Sequence, residues 1–161
     1  VRREKLDQID RRILDDLQSD GRMTNVELAS RAGISAPPCL RRVRALEESG
    51  YIRGYHADID PSMMGFGVTV FAFVGLTSQA ETDLVKFEAC VAKWPLVREC
   101  FMLQGETDFL LKVVAEDLAS YNKFLTNELT AAPNVSHVRS AITIRHSKQA
   151  FGVPIDTGPD A

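Results

Sequence analysis

Arg31, Arg41, Arg42, Arg44 and Arg53 crowd one stretch of the chain, and between positions 31 and 53 only Glu47 and Glu48 oppose them. A guanidinium presents its donors as a planar fork that fits phosphate oxygens and the edge of guanine. The formal net charge of −3 speaks against a nucleic-acid partner, but a local basic patch weighs more than the total. On a helical wheel Cys39, Val43 and Leu46 share one side. Arg41 and Arg44 point nearly opposite, Pro37 lies near the leading end and Arg42 sits at the flank. Set in the major groove of a duplex, such a helix would offer Ser35, Pro37, Pro38, Arg41, Arg42 and Arg44 as contacts, with Arg53 beyond it placed for a phosphate. A solvated arginine face on a helical hairpin explains the same pattern.

A second pair of groups, Glu106 and Asp108, is close enough in sequence for acid–base work, but no further acid–base residue stands nearby, and a solvated hairpin loop accounts for them as well. The chain carries no G-x-S-x-G, P-loop, G-x-G-x-x-G or H-E-x-x-H, so the spacings of the common hydrolytic, nucleotide and zinc sites are missing. Cys39, Cys90 and Cys100 are odd in number and widely spaced. That fits reduced cytoplasmic thiols better than a disulfide framework, and Cys39 falls on the apolar side of its helix. His56, His137 and His146 do not cluster with them, so no metal site is expected. No apolar stretch is long enough to span a membrane. The charged opening Val1-Arg2-Arg3-Glu4-Lys5 lacks the apolar core of a signal peptide.

The elements that must position these groups fall into two textures. Leu6, Ile9, Ile13, Leu14 and Leu17 form one helical stripe, ended by Asp20-Gly21. Thr24 and Glu27 are spaced as a capping box, and Gly33 suits the C-terminal turn of the helix they open. Ser35 is placed to cap a third helix with Pro37 and Pro38 in its first turn. Helices over 25–32 and 36–49 joined by Gly33-Ile34-Ser35 have helix-turn-helix spacing. Tyr51–Ile59 reads as extended, a wing or a connector strand. The second half alternates instead. Strands are expected over Val68–Leu76, Val97–Leu103, Phe109–Ala115 and Val138–Arg145. One helix shows Leu84, Phe87, Val91 and Trp94; another, opened by Asp117, shows Leu118, Tyr121, Leu125 and Leu129. The order β-α-β-β-α-β is that of a ferredoxin-like unit. Both faces of its first strand are apolar, which implies a partner over the face the helices leave open. The tail from about Ser147 is expected to be loosely held.

Taken in order, Leu6-Asp7-Gln8-Ile9-Asp10-Arg11-Arg12-Ile13-Leu14, Asn25-Val26-Glu27-Leu28-Ala29, Gly33-Ile34-Ser35, Cys39–Glu47, Gly50–Tyr55, Gly105–Leu111 and Lys148 before Pro154 resemble the Lrp/AsnC family of transcription regulators. The resemblance implies an α+β chain: a winged helix-turn-helix over 1–53, a strand linker over 54–66, a ferredoxin-like αβ-sandwich dimerisation and effector domain over 67–148, and a tail over 149–161. It implies double-stranded DNA and a second copy of the chain as partners, with dimers assembling to tetramers or octamers. It implies no cofactor beyond a small effector, an amino acid. The loop Gly105-Glu106-Thr107-Asp108 matches the family's effector loop, and Ser140 and Thr143 match positions near it. Asp108 can pair an α-ammonium, and Gly105 lets backbone approach a carboxylate. Thr107 stands where many relatives carry a larger or apolar residue.

The function expected is that of a cytoplasmic, effector-modulated DNA-binding regulator, not an enzyme. The competing expectation is an amino-acid-sensing regulatory domain whose helical half docks on a protein. A small enzyme built on Glu106 and Asp108 is the third.

Overall fold

The structure is a computed structural model describing residues 6–158; the charged opening 1–5 and Pro159 of the tail lie outside the described residues. The chain divides into two compact units. One holds the chain up to Asp58 together with the segment from Lys148, and the other holds Ile59–Ser147. No described helix is long and apolar enough to cross a membrane.

In the helical unit, α1 (Gln8–Ser19) begins where Asp7 and Asp10 form a capping box. The Asp7 carboxylate accepts from the Asp10 N–H at 2.8 Å, and Asp10 reaches back to the Asp7 N–H. α2 (Asn25–Ala32) opens on the expected Thr24–Glu27 box. It ends at Gly33, whose φ of 72° is a left-handed turn that side-chain-bearing residues adopt at a cost. α3 spans Ala36–Glu48. Ile13, Leu28, Ala29, Ala32, Cys39 and Leu46 close a small core among the three helices. Each large apolar side chain sealed there is worth about 1.5–3 kcal/mol.

After α3, residues 51–60 form neither helix nor strand. The expected wing or strand linker thus has no ladder partner in the single chain. Tyr55 instead turns back, its hydroxyl donating to Glu47 at 2.9 Å. The tail also departs from expectation. The Gln18 amide donates to the Val153 carbonyl at 2.9 Å and accepts from the Val153 N–H at 3.2 Å. Gln8 and Arg11 donate to the carbonyls of Thr157 and Asp156. Polar side chains along α1 supply the partners that this tail backbone lacks, and so hold it.

In the second unit, β1 (Val68–Leu76), α4 (Glu81–Val91), β2 (Val97–Met102), β3 (Phe109–Ala115), α5 (Leu118–Phe124) and β4 (Val135–Ile142) follow in the expected order. The sheet is antiparallel, ordered β2-β3-β1-β4. Val70, Ala72, Val74, Phe109, Leu111 and Val113 are fully buried under Phe87, Trp94, Tyr121 and Phe124. The rings of Phe87 and Phe109 sit 4.8 Å apart.

Two boundaries move. β4 begins at Val135, not Val138, and stops at Ile142, because it follows β1: Leu76 pairs with Val135, Val70 pairs with Ile142, and the Thr143 N–H makes the last bond to Thr69. Past α5 the helix widens into a π turn, Leu125–Leu129, which adds a residue to the turn and re-phases its faces. Leu118, expected in the core, is 46% exposed, whereas Phe124 is 3% exposed. No helix of the unit covers the other face of the sheet. Phe101 there is 48% exposed, and the Arg139 guanidinium lies over the Phe73 ring at 4.4 Å.

Candidate nucleic-acid interface and ligand loop

The turn between α2 and α3 is held from within. The Ile34 N–H donates to the Ala29 carbonyl at 3.0 Å, and the Asn25 side-chain amide donates to the Ala36 carbonyl at 2.8 Å. Asn25 thereby sets the entry of α3, a role that no sequence pattern marks. Ser35 occupies the N-cap, but its hydroxyl makes no capping bond, so it is free on the surface at the head of the helix. Cys39 and Leu46 are buried on the inner side. Pro37, Arg41 and Arg44 are exposed on the outer side, and Pro38 is half-buried. No ion pair among the described residues engages Arg41, Arg44 or Arg53.

Arg42 differs. Its Nη1 lies 2.7 Å from both Asp7 and Asp10, so one arm of the guanidinium is engaged at the head of α1, unlike the unpaired Arg41 and Arg44. Burial works against the Asp7 charge, but the bond from the Asp10 N–H and the Arg42 guanidinium outweigh it and hold the carboxyl below its usual range. Hydrogen bonds to Asp10 and Asp7 raise the Arg42 pKa in turn. Asp7 and Asp10 stand at capping-box spacing, which marks the head of α1 but not its pairing with Arg42.

In the sheet unit, Asp108 closes the β2–β3 connection. Its carboxylate accepts from the Leu76 N–H at 2.6 Å, and its own N–H donates to the Val74 carbonyl at 2.9 Å. Gly105 and Glu106 are exposed, Thr107 is half-buried, and nothing lies within 4 Å of where a Cβ on Gly105 would be. The loop is therefore open on one side and anchored on the other. Ser140 and Thr143 are not beside it. Ser140 pairs across β4 with Ala72, and its hydroxyl bonds the Tyr121 hydroxyl beneath the helices. Thr143 sits by Thr69, at the far end of β1, with a buried hydroxyl that has no partner. From Leu76 to Thr69 the strand spans about 23 Å at its usual rise.

Residues 6–53 match the winged helix-turn-helix DNA-binding family and residues 69–153 match the Lrp/AsnC ligand binding domain family. The chain belongs to the Lrp/AsnC family. It is 56% identical to a leucine-responsive regulatory protein of Rhizobium meliloti, over 96% of this chain and 99% of that one. It is 39% identical to the leucine-responsive regulatory protein of Escherichia coli K12, over 94% and 93% of the two chains. Its fold overlays that of a Neisseria meningitidis transcriptional regulator crystallised with L-methionine, with a TM-score of 0.89 and 37% identity over 93% and 97% of the two chains. This Lrp/AsnC chain is accordingly a transcriptional regulator, with its DNA-binding helix pair in the helical unit and its ligand-binding domain in the sheet unit.

Proposed function

We propose that the chain is a sequence-specific DNA-binding regulator whose DNA affinity or assembly is set by an amino-acid effector. The carrying observation is the outer side of α3, where Arg41 and Arg44 stand exposed and unpaired opposite the buried Cys39 and Leu46. Two copies joined through their sheet units present two such helices to a roughly palindromic site. The half-buried Phe71 and Phe73 and the exposed Phe101 support that joining. Assembly beyond the dimer, to tetramers or octamers, is part of the same reading.

The effector loop is Gly105-Glu106-Thr107-Asp108. One Asp108 oxygen is held by the Leu76 N–H, which orients the other toward an α-ammonium, and the open side of Gly105 admits a carboxylate. Thr143 of the same chain lies at the opposite end of β1 from this loop. A site that uses both is therefore built from two copies, which makes effector binding sensitive to assembly. An effector with higher affinity for one assembly state shifts the population toward it.

The test combines mobility shift on the DNA upstream of the protein's own gene with light scattering across a panel of amino acids. A shift that one amino acid alters together with particle size supports the reading. A shift that no amino acid alters sinks the effector half. No shift at low or moderate salt moves the helical unit to a protein-docking role.

A further inference from the structure

The leading half of α3 is poor in the groups that hydrogen-bond to DNA. Pro37 and Pro38 lack N–H groups, so the first turn offers fewer donors than an ordinary helix N-terminus. From Ala36 to Arg44 there is no Asn or Gln to bond the adenine edge, and no Asp or Glu to accept from cytosine. Of the three arginines, Arg42 is held by Asp7 and Asp10. What the exposed side presents instead is carbon. The Pro37 ring is exposed, and Leu40 leaves 40% of its surface open. Pro37, Leu40 and Arg44 follow one another at i, i+3 and i+7, so they share one side of the helix. The major groove offers one apolar group on its base edges, the C5 methyl of thymine.

We propose that Pro37 and Leu40 form a thymine-reading patch. Their carbons enclose the methyl group, while Arg41 and Arg44 beside them take guanine edges or phosphates. The inference rests on the DNA-binding reading above and adds which base is read, and by what. It makes Leu40 a specificity residue: its loss relaxes the choice of base at a thymine, a position that loss of Arg41 leaves as selective as before.

The experiment begins by selecting duplexes from a random pool with the full-length protein. Each thymine of the enriched site is then replaced singly by deoxyuridine, which removes the methyl and keeps every hydrogen-bonding group. In the wild-type protein one such replacement per half-site is expected to weaken binding about fourfold, the worth of one buried methyl. In Leu40→Ala or Pro37→Ala the same replacement is expected to cost nothing further. Alanine suits an exposed helical position, and the deoxyuridine series on the wild-type protein needs no variant at all. Tolerance of deoxyuridine at every thymine overturns the proposal. So does a penalty that persists undiminished in both variants. A pool in which no sequence enriches overturns the underlying reading of sequence-specific binding, so the two failures are told apart.

Discussion

The two units meet the same need, cover for an apolar surface, in different ways. The helical unit closes its core among three short helices with local signals at their ends: the Asp7–Asp10 box at α1, the Thr24–Glu27 box and left-handed Gly33 at α2, and prolines in the first turn of α3. The sheet unit buries one face under Phe87, Trp94 and Phe124 and leaves Phe101 exposed on the other. The difference teaches where partners act. A unit with a closed core can devote its surface charge to recognition, whereas a sheet face that no helix covers and that exposes apolar rings is a surface suited to a partner.

Four experiments would break or sharpen this contrast, beginning with the largest effect. Replacing Arg41 and Arg44 together by Ala is expected to cost on the order of a hundredfold or more in DNA affinity, with a shallower salt dependence and unchanged melting. A loss of helix content in the double variant would show instead that these arginines support the fold. Next, Ile13→Ala and Phe87→Ala each remove a sealed core side chain, at about 2–5 kcal/mol. Calorimetry on the two variants should show the loss in different transitions, one per unit; a single shared transition moved by both would break the contrast. Arg42→Ala comes third. It strands Asp7 and Asp10 at the head of α1, and partial exposure limits the cost to about 1 kcal/mol. Melting should fall by a few degrees while the salt slope of DNA binding stays as it was. A flatter slope would place Arg42 on a phosphate after all.

The smallest effects are those of pH, and they separate the units least. Asp7 and Glu27 titrate below their ordinary values in the folded helical unit, and Asp117 does so at the head of α5. For Glu27 the cause is its bonds with Thr24, and for Asp117 the bonds from Ser120. Lowered carboxylates contribute stability that is present above the ordinary carboxylate range and lost as pH falls through the lowered values. Tyr55 behaves in the opposite sense. Burial, then its bond to Glu47, pushes it up to about 12. Its contribution is complete below the ordinary tyrosine pKa near 10 and disappears as pH rises through about 12. Burial raises Tyr121 as well, so ultraviolet titration should show more than one late tyrosine, and Tyr55→Phe should remove part of that late phase; a late phase unchanged in Tyr55→Phe would contradict the Tyr55–Glu47 bond.

Much of the fold was legible because its signals are local. The stripe from Leu6 to Leu17, the Thr24 box, the Gly33 turn and the alternation in Val68–Leu76 and Phe109–Ala115 each depend on residues a few positions apart, and the observed elements follow them. β4 was misplaced because its ends are set by pairing with β1, a partner far off in sequence. Phe124 follows Tyr121 at i+3 in regular helix, but a stripe drawn through Leu118 and Leu125 passes it by; the π turn beyond it then brings Leu129, five residues on, into the core with it. The outer arginines of α3 were legible by the same periodicity. Arg42 was not, since its partners Asp7 and Asp10 lie on another helix.

The sequence alone thus determined what short-range chemistry can specify: where helices start and stop, which side of α3 is apolar, and which arginines point away from it. Capping, propensity and periodicity act within one or two turns, so they can be read in one dimension. Only the tertiary structure decided that Arg42 is tied to α1, that Gln18 grips the tail at Val153, and that Asp108 and Thr143 stand at opposite ends of one strand. Those outcomes depend on which distant segments the burial of apolar surface brings together, and hydrogen bonds and ion pairs are then made among the groups that arrive.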